Sequence, residues 1–321
     1  MIHRSLRLVA PLALGLMATN LVGCGSLPLT GSVTGADAFS ASATKTHLRY
    51  MLGAKLSGRK VIDDRQTQRT QDVGATKVDL RGQCSPVADQ GQMGACTAFA
   101  IAKGLDEFLA KKAGHPTSLS PAFLYYEERK TQGNTDMTAD TGAQIETGMK
   151  VLEAMGTSPE ADDPYLSAAD QKDPAKIKAF LATAPGSKAV TDALNFRIPG
   201  SKSFITPGTG KHLKPVPLSS MSAIRDSLAS GMPVVAGIIV FQSMMSDAVK
   251  NTGVVPMPDP KSGDKPVGGH AIMLVGYDET KQVFIVRNSW SASWGDGGYF
   301  TLPYDYVHVG LMQDAWTATE Q

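Results

Sequence analysis

The chain has 321 residues, 42% of them hydrophobic, which is enough to bury one large core or two lobes around a cleft. Its 31 basic and 30 acidic residues nearly cancel and form no basic run, which argues against nucleic acid as a partner. The three cysteines, Cys24, Cys84 and Cys96, cannot all be paired within the chain, and no Cys/His cluster has metal-ligand spacing, so no metal or cofactor is implied.

In chain order, Arg4 and Arg7 precede an apolar run over residues 8–17 that is short for a bilayer span and contains Pro11. A charged start, a short apolar run and then small residues form the pattern of an export signal, here residues 1–23. Leu21-Val22-Gly23-Cys24 resembles the lipobox of bacterial lipoproteins. That resemblance implies that Cys24 is lipidated, becomes the first mature residue and anchors an exported protein to a membrane of the bacterial cell envelope. Gly25 in place of Asp points to the outer membrane or cell surface if the cell is Gram-negative. Residues 24–77 read as a lipid-anchored linker or short pro-segment. Within it, 26–43 is rich in Gly, Ser, Thr and Ala, and a short helix is expected over 47–56.

The globular part is expected over 78–321. Residues 94–109 pass from a Gly-rich loop into a helix, with Phe99, Ala100, Leu105 and Phe108 on one face. Ser120-Pro121 caps and opens a second helix. Ile145, Met149, Leu152 and Met155 mark a third over 144–155. Residues 172–214 are polar and rich in Gly, Pro and Lys, an insertion with a short helix at 174–181. A helix over 221–230 stops at Gly231. Strands follow at 233–241, 271–277, 282–287 and 299–302, the second and third joined by the turn 278–280. Helices first and strands later indicate α+β, with two halves packed as lobes.

Three stretches carry chemistry. In Gln90-Gly91-Gln92-Met93-Gly94-Ala95-Cys96, the cysteine stands at a helix start, where free N–H groups and the helix dipole favour the nucleophilic thiolate. The amide of Gln90 can donate, with the Cys96 N–H, to an oxyanion. In Gly268-Gly269-His270, an imidazole opens an apolar strand. In Asn288-Ser289-Trp290, an amide oxygen can accept from the far ring nitrogen of His270, and Trp290 can keep water from that bond.

The order Gln90, Cys96, His270, Asn288, with Asn-Ser-Trp and the nearby Trp294-Gly295, resembles the papain family of cysteine peptidases over roughly residues 78–306. The resemblance implies a two-lobe fold, with a helical left lobe, a β-barrel-like right lobe and the active-site cleft between them. It implies peptide or protein substrates and the roles of oxyanion donor for Gln90, nucleophile for Cys96, base for His270 and orienter for Asn288. It matches Gly142 and Ala143 to the glycine-rich cleft edge, and places a specificity pocket near Ala236, Gly237 and Gly268.

The sequence also departs from the family. Met93 stands where a disulfide cysteine usual in the family would be, and Thr97 replaces an aromatic residue. His270 lies 174 positions after Cys96 (270 minus 96), beyond the family's roughly 130–150, a surplus the 172–214 insertion accounts for. A bacterial subgroup lacking the disulfides is the nearest match.

Two other functions compete with peptide hydrolysis. A peptide-binding surface lipoprotein of the same fold has no need of all four residues. An acyl transferase of transglutaminase type would carry Asp rather than Asn288. Asp140, Asp162 and Asp163 read as solvated loop charges, and Cys84 as a small, partly buried thiol.

Overall fold

A computed structural model describes residues 50–56, 75–205 and 216–319. The export signal, Cys24 and most of the 24–77 linker lie outside the described residues.

The first long helix, α1, runs over 96–112. It begins as Cys96–Ala98, widens to a π-helical stretch at Phe99–Asp106 and closes as Glu107–Lys112. Ile101, Leu105 and Phe108 are buried along it. Gly104 lets the helix approach the sheet, since a Cβ there would lie 3.1 Å from the Met273 sulfur. Helix α2 (Pro121–Thr131) starts as expected, with the Ser120 hydroxyl accepting from the Phe123 N–H and Pro121 in the first turn. Helix α3 (Ile145–Ala154) buries Ile145, Met149 and Leu152.

The 172–214 region is more than an insertion with one helix. It forms α4 (Pro174–Ala182), α5 (Ser187–Ala193) and a strand, β2 (Ser201–Ile205), that joins the sheet. Helix α6 (Leu218–Ala229) is followed by Gly231 at φ 83°, a left-handed position that ends it.

The other strands are β1 (Lys77–Asp79), β3 (Val234–Phe241), β4 (Pro266–Asp278), β5 (Val283–Arg287), β6 (Tyr299–Pro303) and β7 (Met312–Ala318). All pairings are antiparallel, in the order β2-β7-β3-β4-β5-β6, with β1 on β4. The lobe expected to be barrel-like is thus an open sheet of α+β architecture. Every residue of β3 is buried, as a strand covered on both faces requires. Strand β4 begins at Pro266 rather than Ala271, so His270 sits inside the strand, opposite Ile238, and not at its mouth.

Candidate active site

Helix α1 supplies the sulfur. Gly91 (φ 62°) turns the loop, and Cys96 is the first residue of the helix. Its Sγ accepts hydrogen bonds from the backbone N–H groups of Ala271 and Gly53. Ala271 directly follows His270, so the sheet brings the imidazole's own strand against the thiol.

His270 is fully buried. Its Nε2 hydrogen-bonds the Asn288 Oδ1 at 2.8 Å, and that oxygen also accepts from the Ser289 N–H at 2.8 Å. Among the described residues Nδ1 has no hydrogen-bond partner. With the ring proton on Nε2, Nδ1 is the basic nitrogen available to a thiol. Trp290 stacks on the imidazole at 4.5 Å between centroids and meets Trp294 edge-on at 5.1 Å, which shields the His270–Asn288 bond.

Gln90 is buried between the two walls. Its Oε1 accepts from the Ser289 hydroxyl at 2.6 Å, and its Nε2 donates to the Met93 carbonyl at 3.0 Å and the Met51 carbonyl at 3.3 Å. The amide expected to serve an oxyanion thus donates to a carbonyl of residues 50–56.

That segment is the main surprise. Residues 50–56 are extended, not helical, and lie in the cleft. Ala143 donates to the Gly53 carbonyl (3.0 Å) and accepts from the Lys55 N–H (2.8 Å), a parallel bridge at Ala54, while the Ala54 N–H reaches the Gly269 carbonyl (3.1 Å). Tyr50 stacks on Trp290 at 4.6 Å. A Cβ on Gly53 would overlap the Gly94 carbonyl oxygen, so only glycine fits over the helix start. The segment leaves Cys96 with 0% exposure.

The direction of the segment matters. Residues 50–56 run from Tyr50 on Trp290 to Lys55 on Ala143. This is opposite to the direction expected of a substrate whose leaving amine takes its proton from His270.

Burial also resets the electrostatics. The thiol at a helix start was expected to ionise easily. Instead desolvation pushes Cys96 up to about 11 and His270 down to about 4, despite the hydrogen bonds that oppose each shift. With the cleft filled, thiol and imidazole are both neutral at pH 7.

Of the other expected substrate-binding positions, Gly142 and Ala143 form the paired edge, Gly268 faces Leu52, and Gly237 faces Leu56. Ala236 pairs with Ile272 and Ala315, and strand alternation turns it to the opposite face from Gly237. Gly269, not singled out from the sequence, lies under Leu56.

Asp140 is not a solvated loop charge. Its Oδ2 accepts from the Gly94 N–H at 2.8 Å, and its Oδ1 from the Tyr125 hydroxyl, whose oxygen in turn accepts from the Gly142 N–H at 2.9 Å. This strut ties the thiol loop to the cleft edge, where Met93 leaves no disulfide to do so. Asp162 pairs with Lys188 at 2.6 Å, and burial with Glu160 nearby raises Asp163 to about 6. Glu128, which has no local signal in the sequence, is a fully buried carboxyl that accepts from the Thr97 hydroxyl at 2.7 Å and is pushed up to about 8 by desolvation. Cys84 is buried, with its S–H toward the Leu80 carbonyl at 3.6 Å.

A helix-borne thiol facing an imidazole on an antiparallel sheet marks a cysteine peptidase by class. The chain belongs to the papain family: the family described as "Papain family cysteine protease" matches residues 74–319. An uncharacterized peptidase C1-like protein of Acanthamoeba polyphaga mimivirus is 36% identical over 236 residues, 72% of this chain and 69% of that protein. Cathepsin K of Mus musculus is 25% identical over 69% of this chain and 57% of its own length. Among solved structures, xylellain, a cysteine protease from Xylella fastidiosa, superposes with a TM-score of 0.63 and 29% identity, covering 85% of this chain and 98% of that one.

Proposed function

We propose that this chain hydrolyses peptide bonds through an acyl-enzyme, with Cys96 as nucleophile, His270 as base and then acid, Asn288 as orienter and Gln90 as oxyanion donor. The observation that carries the reading is the His270–Asn288 bond, at 2.8 Å, in a strand whose next N–H touches the Cys96 sulfur. Nδ1 of His270 takes the thiol proton, and the sulfur bonds to the substrate carbonyl carbon. The carbonyl oxygen takes up negative charge and accepts from Gln90 Nε2 and the Cys96 N–H. Collapse breaks the C–N bond, and the amine leaves with the proton from Nδ1. Water then attacks the thioester, gives its proton to Nδ1 and releases the acid, while the sulfur is reprotonated.

In the same reading residues 50–56 are a pro-segment that fills the cleft backwards and must leave before a substrate enters. The N-terminal pattern supports export and membrane attachment through a lipidated Cys24. Replacement of Cys24 by Ser is expected to end incorporation of labelled palmitate in a bacterial host; undiminished incorporation would exclude this attachment site.

The test of the chemistry is Cys96→Ala in the full chain. It is expected to end both peptide cleavage and labelling by a thiol-trapping epoxide. Persistent labelling would move the nucleophile to Cys84.

A further inference from the structure

Thr97, the residue after Cys96, meets a buried acid. Its hydroxyl donates to Glu128 Oε2 at 2.7 Å, and both side chains are fully buried. The other oxygen, Oε1, has no hydrogen-bond partner among the described residues. It faces α3 at Gly148, where a Cβ would overlap both Oε1 and the Ile101 Cδ1 methyl. An unpaired carboxylate oxygen against a glycine and a methyl is costly, whereas the neutral acid, with its proton on Oε1, brings no charge there. Arg129, next in the chain, directs its N–H groups to the carbonyls of Tyr125, Met137, Ala139 and Leu181. The other charges nearby have partners of their own: Glu127 with Lys130 on α2, Glu146 with Lys150 on α3, and Asp140 with Gly94 and Tyr125. On α1 the titratable group that feels Glu128 is Cys96 itself.

We propose that Glu128 is a positioning residue that acts on Cys96 through Thr97, steadying the helix start as the neutral acid and opposing the thiolate once ionised, so that it sets the alkaline limit of cleavage. The proposal rests on the peptidase reading and adds its regulation. Desolvation raises Glu128 from the ordinary 4.5 to about 8, against the Thr97 hydrogen bond and the Arg129 charge. Below that value the acid is neutral and the thiolate forms unopposed. As pH rises through it, a carboxylate appears one hydrogen bond from the helix start and disfavours a second negative charge on the sulfur. The contacts of Glu128 with Thr97, Ile101 and Gly148 lie on α1 and α3, so the burial that shifts it persists when residues 50–56 leave the cleft. The hydroxyl that makes the link stands where the papain family carries an aromatic residue.

The test uses the full chain carrying Gly53→Ala, so that the cleft is free, and follows kcat/KM on a fluorogenic peptide amide from neutral to alkaline pH. Adding Glu128→Gln, equal in size and never charged, is expected to move the alkaline midpoint up by about one pH unit. Thr97→Val removes the hydroxyl that favours the carboxylate. It is expected to move the midpoint in the same direction by less, and it carries the test if the Gln variant does not fold. A midpoint that stays in place or moves down, with rates lowered alike at every pH, would overturn the proposal alone and reduce Glu128 to a packing role. Cleavage by neither parent nor variants would overturn the peptidase reading with it.

Discussion

The two walls of the cleft are held in different ways. On the helical side, the thiol loop is fixed by polar struts: Asp140 to Gly94 and Tyr125, Gln90 to Ser289, and Thr97 to Glu128. On the sheet side, the imidazole is fixed by strand register and by a sandwich of His270, Trp290 and Tyr50. Struts hold loop backbone that has no regular partner, and each depends on particular atoms. A sheet with stacked aromatic rings tolerates small adjustments but suffers from lost volume.

The comparison is tested first at its meeting point. In a chain freed by Gly53→Ala, His270→Ala removes the proposed base and is expected to lower kcat by about 10²–10⁴-fold, measured on a peptide amide. Retention of more than a tenth of the activity would shift the base elsewhere.

On the sheet wall, Trp290→Ala empties a buried ring site. It is expected to cost about 3–5 kcal/mol of stability, read by denaturant unfolding, and to weaken retention of residues 50–56. On the helical wall, Asp140→Ala leaves the Gly94 N–H and the Tyr125 hydroxyl without an acceptor. The expected cost is smaller, about 1–3 kcal/mol, but kcat/KM should fall with it because the strut sets the sulfur against the edge at Gly142. If Asp140→Ala proves silent in both measurements, loop packing rather than polar struts holds the thiol.

The smallest effect is a pH response. While the cleft is filled, burial lowers His270 from the ordinary 6.5 to about 4. The filled form therefore resists the proton that an open, hydrated cleft accepts. As pH falls from about 6.5 toward 4, protonation favours the open form, so release of residues 50–56 is expected to increase across that window. Cys96 is shifted the other way, up to about 11, so its ionisation favours opening only in alkali. Faster epoxide labelling of the intact chain at pH 5 than at pH 7, after correction with the Gly53→Ala chain, checks this.

Much of the site was legible because its residues carry local signals: glycines before Cys96 and His270, and the Asn288-Ser289-Trp290 run. What stayed hidden depends on partners distant in sequence. Residues 50–56 have helical spacing of apolar groups, yet their N–H and C=O groups pair with Ala143 and Gly269, and tertiary pairing overrides propensity. The first half of β4 escaped because Gly268 and Gly269 are poor strand formers, present where residues 52–56 approach closely. Strand β7 escaped because buried Gln313 and Asp314 break its apolar pattern. Asp140 looked like a loop charge until Gly94 and Tyr125 came to it.

The most direct test is the rate of epoxide labelling in the intact chain and in its Gly53→Ala variant, with the labelled peptide identified by mass spectrometry. Fast labelling of Cys96 in the variant, at least tenfold slower labelling in the parent, and none in Cys96→Ala is the expected result. Equal rates in parent and variant, or a label carried by Cys84, would contradict a reactive Cys96 covered by residues 50–56.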